Sequence, residues 1–241
     1  MTTKIIFIDS EHIKIEARIT VPDLPTNNNA PAIIISHPYG PLGGNMNNNV
    51  VVKLHKYFSE KGFLTTSFNF RGSGKSSGRT SWTGAPEQKD YQAVINHLLH
   101  NNNHHIYPTI SHLFICGYSY GSMIASTMKE TSIQTYYILI SYPLSVIWAL
   151  STTKMNYFKT QMRQLIQENL HPVLIIYGDQ DQFTSEKSYQ SWINTILSDK
   201  DHQDYNNIQY KKLDDVDHFW FGNEYRLIEY INSWINSLSI L

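Results

Sequence analysis

The residues of this chain with the clearest chemical potential lie in the pentapeptide Gly117-Tyr-Ser119-Tyr-Gly121, which follows an apolar run and precedes a helix-like segment. Glycines on both sides of a serine permit a turn in which larger side chains would collide. Such a turn holds Ser119 Oγ clear of the sheet and points the Tyr120 backbone N–H toward developing negative charge. The alternative is a chance pentapeptide in a loop, but the strand-and-helix context favours a serine nucleophile with half an oxyanion hole.

Candidates for an acid and a base follow two later strands. The apolar run at 173–177 is followed by Asp179 and Asp181, and either carboxylate could orient an imidazole. The candidate base is His218, which comes shortly after the last predicted strand, at 208–213. Because the carboxyl ends of parallel strands meet at one edge of a sheet, we expect serine, acid and base on the same rim.

A second oxyanion donor is predicted in the segment 37–44, which is rich in glycine and proline and follows the apolar strand 32–36. Ligands of open α/β sheets bind at this end of a strand. We assign the second donor to the backbone N–H of Tyr39, with that of Gly40 as the alternate. The competing interpretation is that the segment is a plain strand-to-helix turn without such a role. His37 is expected to orient this loop and not to act as a base.

The segment Arg71-Gly-Ser-Gly-Lys-Ser-Ser-Gly78 resembles a phosphate-binding loop only superficially. A Walker A motif requires glycine five positions before Gly74, and Asn69 stands there. We therefore interpret the segment as a structural turn in which Arg71 pairs or hydrogen-bonds locally. The chemistry assigned to serine, acid and base requires no metal and no organic cofactor.

Composition limits the class of protein and of partner. The chain has 241 residues, of which 41% are hydrophobic and 13% aromatic, so it can bury a full core and fits a single domain over 1–241. A net charge of −1 gives no long-range field to attract nucleic acid or an anionic membrane. The expected partner is a small-molecule acyl substrate, without nucleic acid and without membrane insertion.

The single cysteine and the first residues of the chain bear on its location. Cys116 lies in the apolar run before the pentapeptide, which excludes an intramolecular disulfide and predicts a buried core residue. The start of the chain alternates in polarity and becomes charged at Asp9, unlike a signal peptide. No apolar run approaches the roughly 20 residues of a membrane helix. We therefore expect a soluble, cytoplasmic protein.

The hydrophobic patterns predict strands alternating with helices, typical of a doubly wound, mostly parallel sheet that opens with an antiparallel hairpin. Eight strands are predicted, at 4–8, 12–21, 32–36, 63–70, 112–118, 135–141, 173–177 and 208–213. Helices are predicted at 48–61, 86–99, 120–130, 185–197 and 224–238. The stretch 143–170, with weak helical pieces at 144–150 and 157–170, is the one long enough for a cap, and it is small. Six aromatic residues could line the pocket or belong to the core: Tyr118, Tyr120, Tyr142, Trp148, Phe183 and Phe219.

These segments carry a resemblance to a known family. Serine, acid and base occur in the order found in α/β-hydrolases, and the matching segments are His37-Pro38 with Gly43-Gly44, 69–78, 117–121, 178–181 and 217–219. The chain resembles this superfamily over nearly its whole length, and most of all small, nearly lidless serine hydrolases related to dienelactone hydrolases and carboxylesterases. The resemblance implies an α/β-hydrolase fold and selects Asp181 over Asp179, because in similar proteins the acid lies three residues after the glycine that ends the strand.

The resemblance also limits the reaction. Dienelactone hydrolases proper use cysteine where this chain has Ser119, so their lactone substrate does not carry over. The expected function is hydrolysis of a carboxylic ester or thioester by Ser119, His218 and Asp181, with the N–H groups of Tyr39 and Tyr120 as oxyanion hole. A peptidase or an acyltransferase could use the same triad, and a catalytically silent binding protein could share the fold.

Overall fold

The computed structural model describes residues 1–23, 29–100, 106–130, 132–168, 170–197, 207–238 and 240. Its strands are β1 (Thr2–Ser10), β2 (Ile13–Val21), β3 (Asn29–Ser36), β4 (Leu64–Phe68), β5 (Thr109–Tyr118), β6 (Thr135–Ile140), β7 (Val173–Gln180) and β8 (Ile208–Asp217). Its α-helices are α1 (Asn49–Glu60), α2 (Ala85–Leu99), α3 (Tyr120–Ala125), α4 (Ile147–Ser151), α5 (Met155–Gln167), α6 (Glu186–Leu197) and α7 (Glu224–Ser237). Two 3₁₀ turns lie at Gly40–Leu42 and Thr152–Lys154.

The eight strands form one sheet in the order β1-β2-β4-β3-β5-β6-β7-β8. The hairpin strands β1 and β2 pair antiparallel, and β2 pairs antiparallel with β4. All pairings from β4 to β8 are parallel. The predicted α/β-hydrolase fold, a mostly parallel sheet opened by an antiparallel hairpin, is thereby confirmed.

The central strands are buried on both faces, as their continuous apolar sequences predict. In β3, Ile33 and Ile35 pack toward α1 and α7, whereas Ile34 packs toward the face covered by α2, α3, α5 and α6. Cys116 of β5 is a fully buried free thiol. The sheet therefore has helices on both sides, and its strand ends remain as the place for a site.

Several predicted boundaries differ from the structure, and two of these differences have a local reason. The helix after Ser119 ends at Ala125 and not near residue 130, because the hydroxyls of Ser126 and Thr127 donate to carbonyls three residues back. The last strand continues to Asp217 instead of ending at 213, because its pairing with β7 resumes after a register shift. His218 therefore follows the end of β8 directly.

The stretch between β6 and β7 has two helices, as predicted, but their bounds differ. Helix α4 begins at Ile147, and α5 begins at Met155 after a short 3₁₀ turn. Ile147 and Phe158 anchor this stretch in the core, and both side chains are buried. None of the helices in the described parts of the chain is both long and apolar enough to span a membrane.

The turn at 71–78 is held by a buried ion pair. Arg71 donates two parallel hydrogen bonds to Asp90 of α2, from Nε to Oδ2 at 2.9 Å and from Nη2 to Oδ1 at 2.7 Å. Asp90 is fully buried and also accepts from Ser10 Oγ at 2.8 Å. Arg71 therefore pairs as predicted, although its partner lies on another element and not within the turn.

We expect Asp90→Ala to lower the free energy of unfolding by about 3 kcal/mol, because it removes both hydrogen bonds of the partly buried Arg71 to Asp90 and leaves only the longer contact with the exposed Glu11, at 3.6 Å. Urea unfolding monitored by circular dichroism measures the change. The matched control is Glu60→Ala, which removes the carboxylate of an exposed pair with Lys56 and should cost no more than about 0.5 kcal/mol. Equal losses in the two variants would contradict a structural role for the Arg71 pair.

Candidate active site

Ser119 occupies the junction between β5 and α3. Its φ of 56° and ψ of −121° place its backbone in a region that residues other than glycine rarely adopt. Its backbone N–H donates to the Ile140 carbonyl of β6 at 2.8 Å, which fixes the junction against the sheet. The strained turn predicted from the pentapeptide is present.

The two glycines of the pentapeptide allow this junction to close. A Cβ on Gly117 would lie 2.3 Å from the Gly121 carbonyl oxygen and 2.5 Å from the Ser122 nitrogen. A Cβ on Gly121 would lie 2.7 Å from the His37 carbonyl oxygen. These are backbone atoms that cannot move away, so strand, helix and the loop after β3 approach closely only because both positions lack side chains.

The structure brings Ser119, His218 and Asp181 into one hydrogen-bonded chain. Ser119 Oγ lies 2.9 Å from His218 Nε2, and His218 Nδ1 lies 2.7 Å from Asp181 Oδ2. The three residues are 8%, 4% and 6% exposed, so solvent does not compete strongly for these contacts. The arrangement can transfer the serine proton to the imidazole while the carboxylate orients the ring.

The structure discriminates between the two candidate acids. The second oxygen of Asp181 accepts the backbone N–H groups of Phe183 and Thr184 at 2.8 and 2.9 Å, which fixes the carboxylate facing His218. Asp179 instead faces the Val216 backbone N–H at 3.4 Å. Asp181 therefore contacts the imidazole, whereas Asp179 contacts the backbone of β8 at Val216.

Two further residues, not predicted from the sequence to contact His218, fix its backbone. The His218 backbone N–H donates to Gln182 Oε1 at 3.1 Å, and its carbonyl accepts from the Tyr118 hydroxyl at 2.6 Å. Tyr118 precedes the serine on β5, so the strand that carries the nucleophile also fixes the loop that carries the base. The sequence held no signal for either contact, because both join segments far apart in the chain.

The proposed oxyanion donors lie on adjacent elements. Tyr120 is the first residue of α3, where backbone N–H groups have no partner within the helix. Tyr39 precedes the 3₁₀ turn and lines the same pocket as Ser119, whereas Gly40 is not part of that lining. The rings of Tyr39 and Tyr120 pack with centroids 5.1 Å apart. The two candidate donors thus belong to one packed unit.

His37 has the contacts of a residue that orients its loop. Its Nδ1 lies 2.5 Å from the Pro38 carbonyl oxygen, and its Nε2 accepts the Phe70 backbone N–H at 3.0 Å. Burial lowers the pKa of His37 to about 4, so the ring is neutral near pH 7. The ring therefore links the loop after β3 to the end of β4 and lies apart from the Ser119–His218–Asp181 chain.

A cavity of about 420 Å³ opens beside Ser119. Its walls are the loop 38–44, the residues Val146, Ala149 and Leu150 at α4, and the phenylalanines 183, 219 and 221. None of the lining residues is an aspartate or a glutamate, and His218 is the one basic side chain among them. The pocket is therefore mostly apolar, and its polar side chains include Ser119, His218 and Asn48.

Of the six aromatic residues predicted either for the pocket or for the core, three line the pocket, two lie in the core and one is exposed. Tyr118, Phe183 and Phe219 line the pocket. Tyr120 and Tyr142 are buried in the core, and Trp148 is 65% exposed on α4. Phe221 was missed, because an aromatic residue in a loop without periodicity carries no signal for a pocket. In the described parts of the chain, no cluster of three or more histidine, cysteine or acidic side chains could hold a metal ion.

Comparison with known proteins agrees with the fold. Residues 11–233 match the profile of a family described as X-Pro dipeptidyl-peptidase (S15 family). An α/β serine hydrolase homologue from Coxiella burnetii is 27% identical, with a TM-score of 0.73 over 95% of this chain and 96% of its own.

Two further solved structures share the fold. A serine hydrolase without a lid from Xanthomonas campestris is 21% identical, with a TM-score of 0.74 over 99% of this chain and 95% of its own. Est1E from Butyrivibrio proteoclasticus, solved with ferulic acid bound, is 18% identical, with a TM-score of 0.72 over 96% of this chain and 98% of its own.

The buried His37 predicts a pH dependence of stability. Its pKa is about 4 in the folded protein and about 6.5 in the unfolded chain. Between these values the unfolded chain binds a proton that the folded protein does not, so stability is lost as the pH falls from 6.5 toward 4. Between pH 7 and pH 4.5 the unfolding free energy of the parent should fall by about 2 kcal/mol more than that of His37→Gln. Urea unfolding across this range measures the difference.

His12→Gln serves as the control for this experiment, because His12 lies in the exposed turn between β1 and β2. It should keep the pH dependence of the parent protein. Identical pH profiles for the parent and His37→Gln would show that His37 is not held neutral in the fold.

Proposed function

The chain belongs to the X-Pro dipeptidyl-peptidase (S15) family of α/β serine hydrolases, and from this premise we propose that it hydrolyses carboxylic esters through Ser119, His218 and Asp181. The observation that carries the proposal is the hydrogen-bonded chain from Ser119 Oγ through His218 to Asp181, at 2.9 and 2.7 Å. We further infer one domain over 1–241, with 143–170 as a small cap.

The proposed reaction has two steps. Ser119 Oγ attacks the acyl carbonyl as His218 Nε2 takes its proton, and the oxyanion is stabilised by the backbone N–H groups of Tyr39 and Tyr120. His218 then protonates the departing alcohol, which leaves the acyl group on Ser119. A water molecule that loses its proton to His218 releases the acid and restores the serine. Each oxyanion donor contributes roughly 10²–10³ in rate.

The chemistry of the pocket favours an ester over the peptide named by the family description. A dipeptidyl-peptidase binds the N-terminal amino group of its substrate, which has a pKa of about 7.7–8.0 and is largely protonated at pH 7. Burying that ammonium group without a carboxylate is costly, and the described pocket lining contains no aspartate or glutamate. An uncharged ester has no such requirement.

Two other possibilities follow from the same site. A thioester would bind the same apolar pocket and be attacked by the same serine, so thioesters remain within the proposed class of substrates. An acyltransferase would need an acceptor alcohol to exclude water from the acyl-enzyme, whereas the small cap supports access by water. A silent binding protein would not need a serine held in a strained turn against a histidine, which supports an enzyme.

We expect a fluorophosphonate probe to label Ser119, as located by peptide mass spectrometry, because the serine is activated by His218. Ser119→Ala should abolish labelling and reduce hydrolysis of p-nitrophenyl butyrate by about 10⁴-fold or more, without lowering the melting temperature. Alanyl-prolyl-p-nitroanilide, offered in parallel, should be cleaved poorly or not at all by the parent. Efficient cleavage of this dipeptide with little ester turnover would replace the ester by the peptidase function.

Substitution of the two candidate acids tests the role of Asp181. Asp181→Asn should lower kcat/KM for p-nitrophenyl butyrate by about 10⁴-fold, because the amide no longer fixes the tautomer of His218. Asp179→Asn is the matched control and should change kcat/KM by less than about 5-fold, because Asp179 does not contact the imidazole. A larger loss in the Asp179 variant would reverse the assignment.

A further inference from the structure

Three phenylalanine rings continue outward from the catalytic histidine. The ring of Phe183 lies edge-on to that of His218 with centroids 4.5 Å apart. Phe219 packs edge-on to Phe183 at 6.1 Å and stacks with Phe221 at 6.2 Å, with an interplanar angle of 18°. All three rings line the cavity beside Ser119. We call Phe183, Phe219 and Phe221 the aromatic shelf.

The outer part of the aromatic shelf is exposed. Phe219 is 42% and Phe221 is 70% accessible to solvent, although burying an apolar ring away from water is stabilising. Trp220, which stands between them, is fully buried, and its indole N–H donates to Ser141 Oγ at 3.0 Å. The chain therefore inserts one aromatic residue into the core and presents its two neighbours at the mouth of the pocket.

The segment that carries these rings is held rigidly. Asp217 Oδ1 accepts the backbone N–H groups of Phe219 and Trp220, both at 3.0 Å. Asn49 Nδ2 donates to the Phe219 carbonyl at 2.9 Å, and Trp220 adopts a left-handed backbone with a φ of 61°. A loop fixed in this way presents an ordered binding surface, so little conformational entropy is lost when a ligand covers it.

The position of the aromatic shelf beside His218 determines which half of an ester it meets. After Ser119 forms its bond to the acyl carbon, the bond from that carbon to the alcohol oxygen breaks, and His218 Nε2 returns the serine proton to that oxygen. The alcohol oxygen must therefore lie within hydrogen-bond reach of Nε2. The group attached to it extends along the rings next to His218, and the other apolar part of the lining, at Val146, Ala149 and Leu150, is left for the acyl group.

We propose that the aromatic shelf is the leaving-group subsite and that it selects uncharged alcohols bearing an aromatic ring. The inference rests on the proposed ester hydrolysis and adds the class of alcohol. The carboxylates that contact the shelf segments or Asn49 in the described chain are engaged: Asp181 by His218 and the Phe183 N–H, Asp217 by the Phe219 N–H, and Glu224 by Asn49 Nδ2 at 2.8 Å. An uncharged alcohol therefore fits this surface better than a charged one.

The test compares two butyrate esters, 2-phenylethyl butyrate and ethyl butyrate. Both alcohols are primary and similar in reactivity, and both esters form the same butyryl-enzyme, so the ratio of their kcat/KM values isolates recognition of the phenyl ring during acylation. We expect the parent to prefer the phenylethyl ester by about 10-fold, the scale of a favourable ring contact together with the apolar area it buries. In Phe221→Ala the preference should fall to about 3-fold or less.

The control variant is Tyr225→Ala, which removes an aromatic ring that is 65% exposed on the first turn of α7 and does not line the pocket. It should keep the parental ratio. A second comparison, ethyl 3-phenylpropanoate against ethyl butyrate, moves the ring to the acyl half. That ratio should be the same in the parent and in Phe221→Ala.

The outcomes separate this inference from the proposed function. Hydrolysis of both butyrates without preference for the phenyl ring, or with a preference that Phe221→Ala retains, would overturn the leaving-group subsite and leave the esterase function in place. Loss of an acyl-side preference in Phe221→Ala would also overturn it, by assigning the shelf to the other half of the ester. No hydrolysis of either butyrate, with Ser119 still labelled by a fluorophosphonate, would overturn the ester function and the subsite with it.

Discussion

The close contact between β5, α3 and the loop after β3 is the constraint on which the site depends. Ser119 stands between two glycines whose absent side chains let backbone meet backbone, with Gly121 against His37 and Gly117 against the first turn of α3. The strained backbone of Ser119 persists because β5 pairs with β3 as far as Gly117 and because the Ser119 N–H donates to the Ile140 carbonyl of β6. Strain at one residue is thus offset by packing and hydrogen bonds spread over four elements.

The loops at this edge of the sheet are joined by buried polar contacts. Asn69 donates to Glu16 Oε2 at 2.7 Å and accepts the Met46 backbone N–H at 2.7 Å, so it ties β2 to the segment that leads into α1. Gly74 passes close to Asn69, with a φ of 54° and no room for a side chain. Gly74 therefore permits the close approach to Asn69, and Gly72 permits a close approach to the backbone at Thr80. These packing roles explain a pattern that resembles a phosphate-binding loop without its function.

Much of this architecture could be predicted from the sequence, because it depends on local patterns. Apolar runs predicted the eight strands, and the glycine spacing around Ser119 predicted the tight turn between β5 and α3. The two candidate acids could not be separated by pattern alone, since that choice depends on which carboxylate receives the N–H groups of Phe183 and Thr184. The roles of Gln182 and Tyr118 were not predictable, because they depend on contacts between distant segments. The predicted end of β8 was also too early, because charged residues interrupt its apolar pattern while its backbone pairing with β7 continues.

The two walls of the pocket differ in their connection to the chemistry. Phe183 follows the acid by two residues, and Phe219 directly follows the base, so the shelf belongs to the same loops that position Asp181 and His218. The other apolar wall comes from α4 and the residue before it, and α4 contacts neither residue of that pair in the described hydrogen bonds. Under the proposed roles, a change in α4 would alter the fit of an acyl group while the imidazole stays in place, whereas a change in the shelf would act on a loop that also carries the proposed acid or base. If the proposed ester hydrolysis holds, selection of the leaving group is the more constrained of the two, and acyl preference is the property that this scaffold can vary more freely.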